Sequence, residues 1–205
     1  MQVANLSRSS TLYTANSYLV TGDWNASDDV ITLIDPGRDP LVLDTIMNRD
    51  PGRRCPVDLV LLTHTHYDHA ALIPAIREAF SPRILAADPA ASTGGKPLKQ
   101  GDLLKIGDVM AEVLATPGHS DDSVSFYCEE GGVLFVGDAP LFGPDTLQEN
   151  ARRRLVVSLE EMVIRDIRTI YFGHGEPLNT GCREFLASAL RRLRNGGGTV
   201  PEGGS

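Results

Sequence analysis

Short apolar runs alternate with breaks rich in glycine, proline and aspartate along most of the chain. NSYLV (16–20) and VITLI (30–34) are rich in β-formers and enclose TGDWNASDD, whose residues favour turns. They predict a hairpin with a long tip. PLVLDTIMN (40–48) spaces its apolar residues as a helix does. VDLVLL (57–62) is a continuous apolar run, which suits a strand covered on both faces. ALIPAIREAF (71–80) reads as a helix with Pro74 in its first turn, where proline is tolerated. RILAA (83–87) reads as a strand, and LLKIG, MAEVLAT, SVSFYCE and GVLFVGD as four more, punctuated by glycine. SLEEMVIRDI (158–167) predicts a helix capped by Ser158, with Glu161 completing a capping box. TIYFG (169–173) reads as a strand, and REFLASALRRLR (183–194) as a helix whose last turn is basic, as the helix dipole favours. Strands and helices mix without strict alternation, which predicts an α/β (α+β) protein of two sheets with helices outside. The expected organisation is one domain over 1–194 and a disordered tail over 195–205.

Composition narrows the functional classes. The chain has 205 residues, 41% hydrophobic and 22% charged, as in ordinary globular proteins. Its net charge of −8 disfavours a nucleic-acid partner, which needs clustered lysine and arginine. No apolar run is long enough to span a membrane, and no basic-then-apolar leader opens the sequence, so the expected location is cytoplasmic. Cys55, Cys128 and Cys182 are widely spaced and read as reduced thiols.

The chemistry is concentrated in the histidines. Three of the five fall in THTHYDH (63–69), just after the apolar run. At a strand end, residues two apart point the same way, so His64 and His66 project together. Asp68 and His69 follow in the turn and at a helix start. One imidazole pair and one imidazole–carboxylate pair, differently aimed, suit two metal ions held close together. His119 in ATPGHS, His174 in YFGHG and Asp138 in LFVGDA likewise end apolar strands in turns. Such positions favour functional groups over core packing, and unpaired burial of these groups is costly.

These motifs resemble the metallo-β-lactamase superfamily. THTHYDH is similar to its T-H-x-H-x-D-H motif, PGHS to its second histidine motif, GD at 137–138 to its bridging-aspartate motif, and GHG at 173–175 to its last. The order is the family's, and the resemblance covers nearly the whole chain. It implies a four-layer αββα sandwich with the metal site at one edge. It implies that His64, His66 and His119 hold one ion, that Asp68, His69 and His174 hold a second, and that Asp138 bridges them. An aspartate at 138 resembles the branch containing hydroxyacylglutathione hydrolases and lactonases. IDPG (34–37) resembles the family's short turn beneath the site, which gives Asp35 either a ligand-supporting role or a plain turn role. Two departures stand out. Asp122 occupies a place the family often gives to glycine, and Ala70 and Ala71 replace two glycines. The chain also ends at residue 205, soon after His174, with little room for a glutathione-binding region.

Two close divalent ions share a water and lower its pKa toward neutrality, giving a bridging hydroxide. The expected protein is therefore a dinuclear metal-dependent hydrolase of an acyl bond (thioester, lactone, ester or lactam) acting on a small molecule. Asp68 is the candidate proton carrier. Zinc is the default metal, with iron and manganese compatible with the same ligands. The alternative is an oxidoreductase resembling persulfide dioxygenases, with one iron at the His64, His66, His119 and Asp138 side; a nuclease fits the acidic charge less well. Three aromatics are candidate substrate contacts: Trp24 on the hairpin tip, Tyr67 inside the ligand motif, where packing is its competing role, and Phe142 after the bridging aspartate. Tyr127 alternates with apolar neighbours and reads as core.

Overall fold

A computed structural model describes residues 1–23, 28–49, 56–142 and 147–195. Ten strands form two five-stranded sheets. The first holds β1 (Gln2–Asn5), β2 (Tyr18–Thr21), β3 (Thr32–Ile34), β4 (Leu59–Leu61) and β5 (Arg83–Leu85) in chain order. The second holds β6 (Leu103–Ile106), β7 (Val109–Ala115), β8 (Val124–Cys128), β9 (Val133–Gly137) and β10 (Thr169–Phe172), again side by side in chain order. Both sheets are mixed. β1, β2 and β3 pair antiparallel and β3, β4 and β5 parallel. β6 to β9 are antiparallel and β10 lies parallel to β9.

Side-chain alternation builds three apolar layers. Ile34, Leu59 and Leu61 of the first sheet meet Val124, Phe126, Cys128, Val133 and Phe135 of the second between the sheets. Their neighbours Leu33 and Val60 face outward, onto Val42 and Ile46 of α1 (Leu41–Arg49) and Ile76 of α3 (Ile73–Phe80). Leu134, Val136 and Tyr127 face the other way, onto α4 (Glu149–Val163) and α5 (Cys182–Arg194). Strands buried on both faces need unbroken apolar runs, which is why the central segments read as they do. The layers are αββα, as the resemblance implies.

Two expectations need correction. The helix expected at 158–167 begins at Glu149 and ends at Val163. Ser158 is no cap; it lies inside α4, and its hydroxyl donates to the carbonyls of Ala115 and Arg154. Arg152, Arg153 and Arg154 hid the earlier turns, because a polar first half blurs helical periodicity. Strand β1 was not predicted; its QVAN is too short and polar to show alternation. The hairpin of β2 and β3 is as expected, but Trp24 at its tip, Cys55 and the tail from 196 on lie outside the described residues.

Candidate metal centre

The histidines converge at one end of the sandwich, where β4, β7, β9 and β10 run out. His64 and His66 follow β4. Asp68 and His69 lie on the short helix α2 (Tyr67–Ala70). His119, Asp138 and His174 follow β7, β9 and β10 in turn. Asp138 is the focus: its Oδ2 stands 3.4 Å from His69 Nε2, 3.5 Å from His174 Nε2 and 3.6 Å from His119 Nε2. His119 Nε2 is also 2.8 Å from His66 Nδ1, and His174 Nε2 is 3.2 Å from Asp68 Oδ2.

Ligating atoms gather within 4.8 Å of one another in three sets: His64, His66 and His119; Asp68, His69 and His174; and His64, His69 and Asp138. The first two sets are the two ligand groups implied by the motifs, and the third joins them through Asp138. The donor set fits divalent metal on one further observation. Among the described residues, the buried Nε2 atoms of His64, His69 and His174 make no well-formed hydrogen bond, although carboxylate oxygens of Asp138 and Asp68 stand near the last two. Buried polar atoms are rarely left so, and imidazole nitrogens aimed together at a carboxylate are what a cation requires.

Glycine makes this packing possible. A Cβ on Gly173 would lie 2.1 Å from Asp138 Oδ1 and 2.8 Å from His69 Cε1. Gly137 has φ +53°, and a Cβ there would strike Thr63 Oγ1 at 2.3 Å. The glycines of the GD and GHG motifs therefore let the backbone approach the site.

Beneath the ligands lies Asp35, which is 2% exposed and has φ +49°. Its carboxylate accepts hydrogen bonds from Thr63 N (2.8 Å) and Thr63 Oγ1 (2.6 Å), and pairs with His69 Nδ1 at 2.9 Å. Pairing Nδ1 leaves Nε2 aimed at Asp138 and fixes the ring's tautomer. Burial disfavours charge on His69, but Asp35 and Asp138 outweigh it and raise its pKa to about 10. Burial, reinforced by His69, pushes His64 down to about 4. Burial opposes the negative charge of Asp138, yet His174 and His69 hold its carboxyl far below the usual range.

Three further residues have roles that the sequence reading did not give them, although it marked Asp122 as a departure from the family pattern. Asp122 accepts from Thr65 N at 2.9 Å and Thr65 Oγ1 at 2.7 Å, clamping the residue between His64 and His66. Its place in a turn after His119 was visible; its partner was not. Asn16 donates to the carbonyls of Phe172 (3.0 Å) and Gly175 (2.8 Å), while its own N–H donates to that of Gly173. Ala15 N donates to Asp68 O, so this one segment sutures the loops of both sheets. Tyr13 stacks on His174 with ring centroids 5.1 Å apart. Tyr67 does not pack as expected: it is 71% exposed, with the Arg38 guanidinium 5.6 Å over its ring. Phe142 borders a cavity that also reaches His119, Asp138 and His174. Tyr127 is buried in the core as expected.

Two mixed sheets between helix layers, with clustered histidines and aspartates at one end, define an αββα protein built around a candidate metal site. The chain belongs to the metallo-beta-lactamase superfamily, whose family model matches residues 10–174. It is distantly homologous to hydroxyacylglutathione hydrolases. The enzyme of that name from Idiomarina loihiensis is 33% identical over 129 residues, covering 62% of this chain and 48% of that protein. Its namesake from Methylobacterium nodulans is 32% identical over 162 residues, covering 69% and 62%. The chain thus spans about half the length of the first and under two thirds of the second. A metallo-beta-lactamase family protein from Thermus thermophilus has the same fold, with a TM-score of 0.68, 21% identity and coverage of 95% of this chain and 79% of that one. Among the described residues, no helix is long and apolar enough to cross a membrane.

Proposed function

We propose that this chain is a dinuclear metal-dependent hydrolase of an acyl bond in a small molecule. One observation carries the reading: a three-histidine cluster (His64, His66, His119) and a histidine–aspartate cluster (Asp68, His69, His174) flank Asp138, whose Oδ2 faces imidazoles of both. His64, His66 and His119 would hold one ion and Asp68, His69 and His174 the other, with Asp138 placed to serve both. Zinc is the expected metal, given imidazole and carboxylate ligands. Two such ions, when bound, would polarise a carbonyl and activate a water at neutral pH. The protein's part is positional. Asp35 holds His69 by Nδ1, Thr63 Oγ1 stands 3.2 Å from His64 Nδ1, and Tyr13 braces His174. Asp68, beside His174 at the rim, carries the proton to the departing group. The distant homology to hydroxyacylglutathione hydrolases supports acyl hydrolysis. The catalytic domain is taken as residues 1–194, and the thiols Cys128 and Cys182, free in the structure, suit the reducing cytoplasm.

The test is metal counting joined to activity. Intact protein should hold close to two metals per chain and hydrolyse at least one of a thioester, lactone, ester or β-lactam panel. His174→Ala should lose one metal and keep the fold, since Gly173 and Gly175 flank it outside the core. Asp138→Ala should weaken both sites, because two cations then face each other without the carboxylate between them. Rates should fall by orders of magnitude in either variant. Full activity of His174→Ala with a single bound iron, and oxygen uptake with glutathione persulfide, would replace this reading with the dioxygenase.

A further inference from the structure

The cavity beside Asp138 has two unlike sides. His119, Asp138 and His174 form one; Pro140, Leu141, Phe142 and Phe172 form the other, around a volume of about 420 Å³. Resting on the hydrolase reading above, we infer that this cavity seats an uncharged apolar substituent of the substrate next to the reacting carbonyl, with Phe142 as its specificity-determining contact.

Phe142 is 68% exposed, yet its ring is held at 4.9 Å from Phe172 and 5.1 Å from Phe185. A large apolar side chain fixed in place but left open at a cavity mouth is a binding surface rather than core. The wall behind it is tied to α5. Arg192 of α5 donates to the carbonyl of Leu141 and to Ser188 Oγ at 2.9 Å, so its guanidinium is engaged behind the wall. On the near side, a Cβ at Gly118 would meet Pro140 Cγ at 2.9 Å, so the loop of His119 packs against the wall without slack. Among the described residues, no lysine or arginine lines the cavity. The carboxylates and ammonium of a glutathionyl group would lie there without counter-charge, which is unfavourable. A pocket of this size, mostly apolar with few polar groups at one end, matches small-molecule sites in general.

The apolar substituent can belong to the acyl group or to the leaving group, and binding separates these. Affinities of the metal-loaded protein should be measured calorimetrically for two series: acetate, butyrate, hexanoate and phenylacetate, and neutral thiols of matching lengths. Roughly 2- to 4-fold tighter binding per methylene is expected in one series; a slope with carboxylates assigns the acyl side, a slope with thiols the leaving group. Phe142→Ala should flatten that slope with metal content retained, and Phe142→Leu should flatten it partly should the alanine variant fail to fold. Flat affinities in both wild-type series, or a slope untouched by substitution at 142, would overturn the inference. A slope in binding without turnover of any acyl substrate would sink the hydrolase reading and leave the apolar site standing. Turnover with flat affinities would do the reverse.

Discussion

Replacing Asp35 with asparagine tests the site from below. The amide has the same shape and tolerates the left-handed backbone at φ +49°. It cannot, however, accept on both sides. Oδ1 accepts from Thr63 N, and Oδ2 faces both Thr63 Oγ1 and His69 Nδ1. An NH2 in the first place meets a donor. In the second it forces His69 to accept at Nδ1 and carry its proton on Nε2, the atom facing Asp138. Losing one buried hydrogen bond to a charged group costs about 1.5–3 kcal/mol, and His69 and Asp35 are both buried. Asp35→Asn should therefore destabilise the metal-free protein by about 2 kcal/mol, read by urea unfolding. Metal affinity should fall about 10- to 100-fold, read by chelator competition. The sign of the pH dependence follows from His69, whose folded pKa is raised to about 10. Its stabilisation is complete below its ordinary value of about 6.5 and is lost as pH rises through 10. The stability gap between wild type and variant should thus narrow in alkali. A variant within about 0.5 kcal/mol of wild type, with unchanged metal affinity, would refute the role given to Asp35.

Asp122→Ala should free Thr65, costing about 1 kcal/mol and weakening the His64–His66–His119 ion. Burial opposes charge on Asp122, but Ser120 and Thr65 hold its carboxyl below its ordinary value, so its contribution is present at neutral pH and fades as the solution is acidified below about 4; equal acid denaturation of variant and wild type would contradict this. Metal uptake at pH 7 should release protons, because His69, at about 10, must lose one to ligate while His64, at about 4, has none to lose; calorimetry in two buffers of different ionisation heat reads the number, and zero would be the wrong answer. In a Cys55→Ser background, a thiol reagent should leave native protein unlabelled and label both remaining cysteines after denaturation, since burial pushes Cys128 to about 12 and raises Cys182.

What could be read in advance followed from how strongly each element speaks locally. VDLVLL and GVLFVGD announced their burial because a strand covered on both faces has no room for polar residues. The convergence of seven histidines and aspartates was legible because nothing structural demands H-x-H-x-D-H, and because His119, Asp138 and His174 each end an apolar strand in a turn. Asn16, Asp122 and Tyr13 were not, since each acts through a partner distant in sequence: Asn16 bonds across to Phe172 and Gly175, and Asp122 reaches back to Thr65. Helix α4 began nine residues before the expected cap because Ser158 looks like a start signal, yet its hydroxyl serves the carbonyls of Ala115 and Arg154 from within the helix. Tyr67 was expected near the site, packing there or touching substrate; α2 leaves it exposed, so the packing reading fails.

The ligands arrive in a fixed order along the chain, from His64 near β4 to His174 just past β10. During synthesis, amino-terminal segments emerge and begin to organise first. A nascent chain stopped before β9 would carry His64, His66, Asp68, His69 and His119 but neither Asp138 nor His174, and Asn16 would still lack its partners at the end of β10 and just past it. If these residues hold metal as proposed, tight capture would come late, once both sheets have closed on one another, and a bound ion would report an assembled sandwich rather than help to nucleate one.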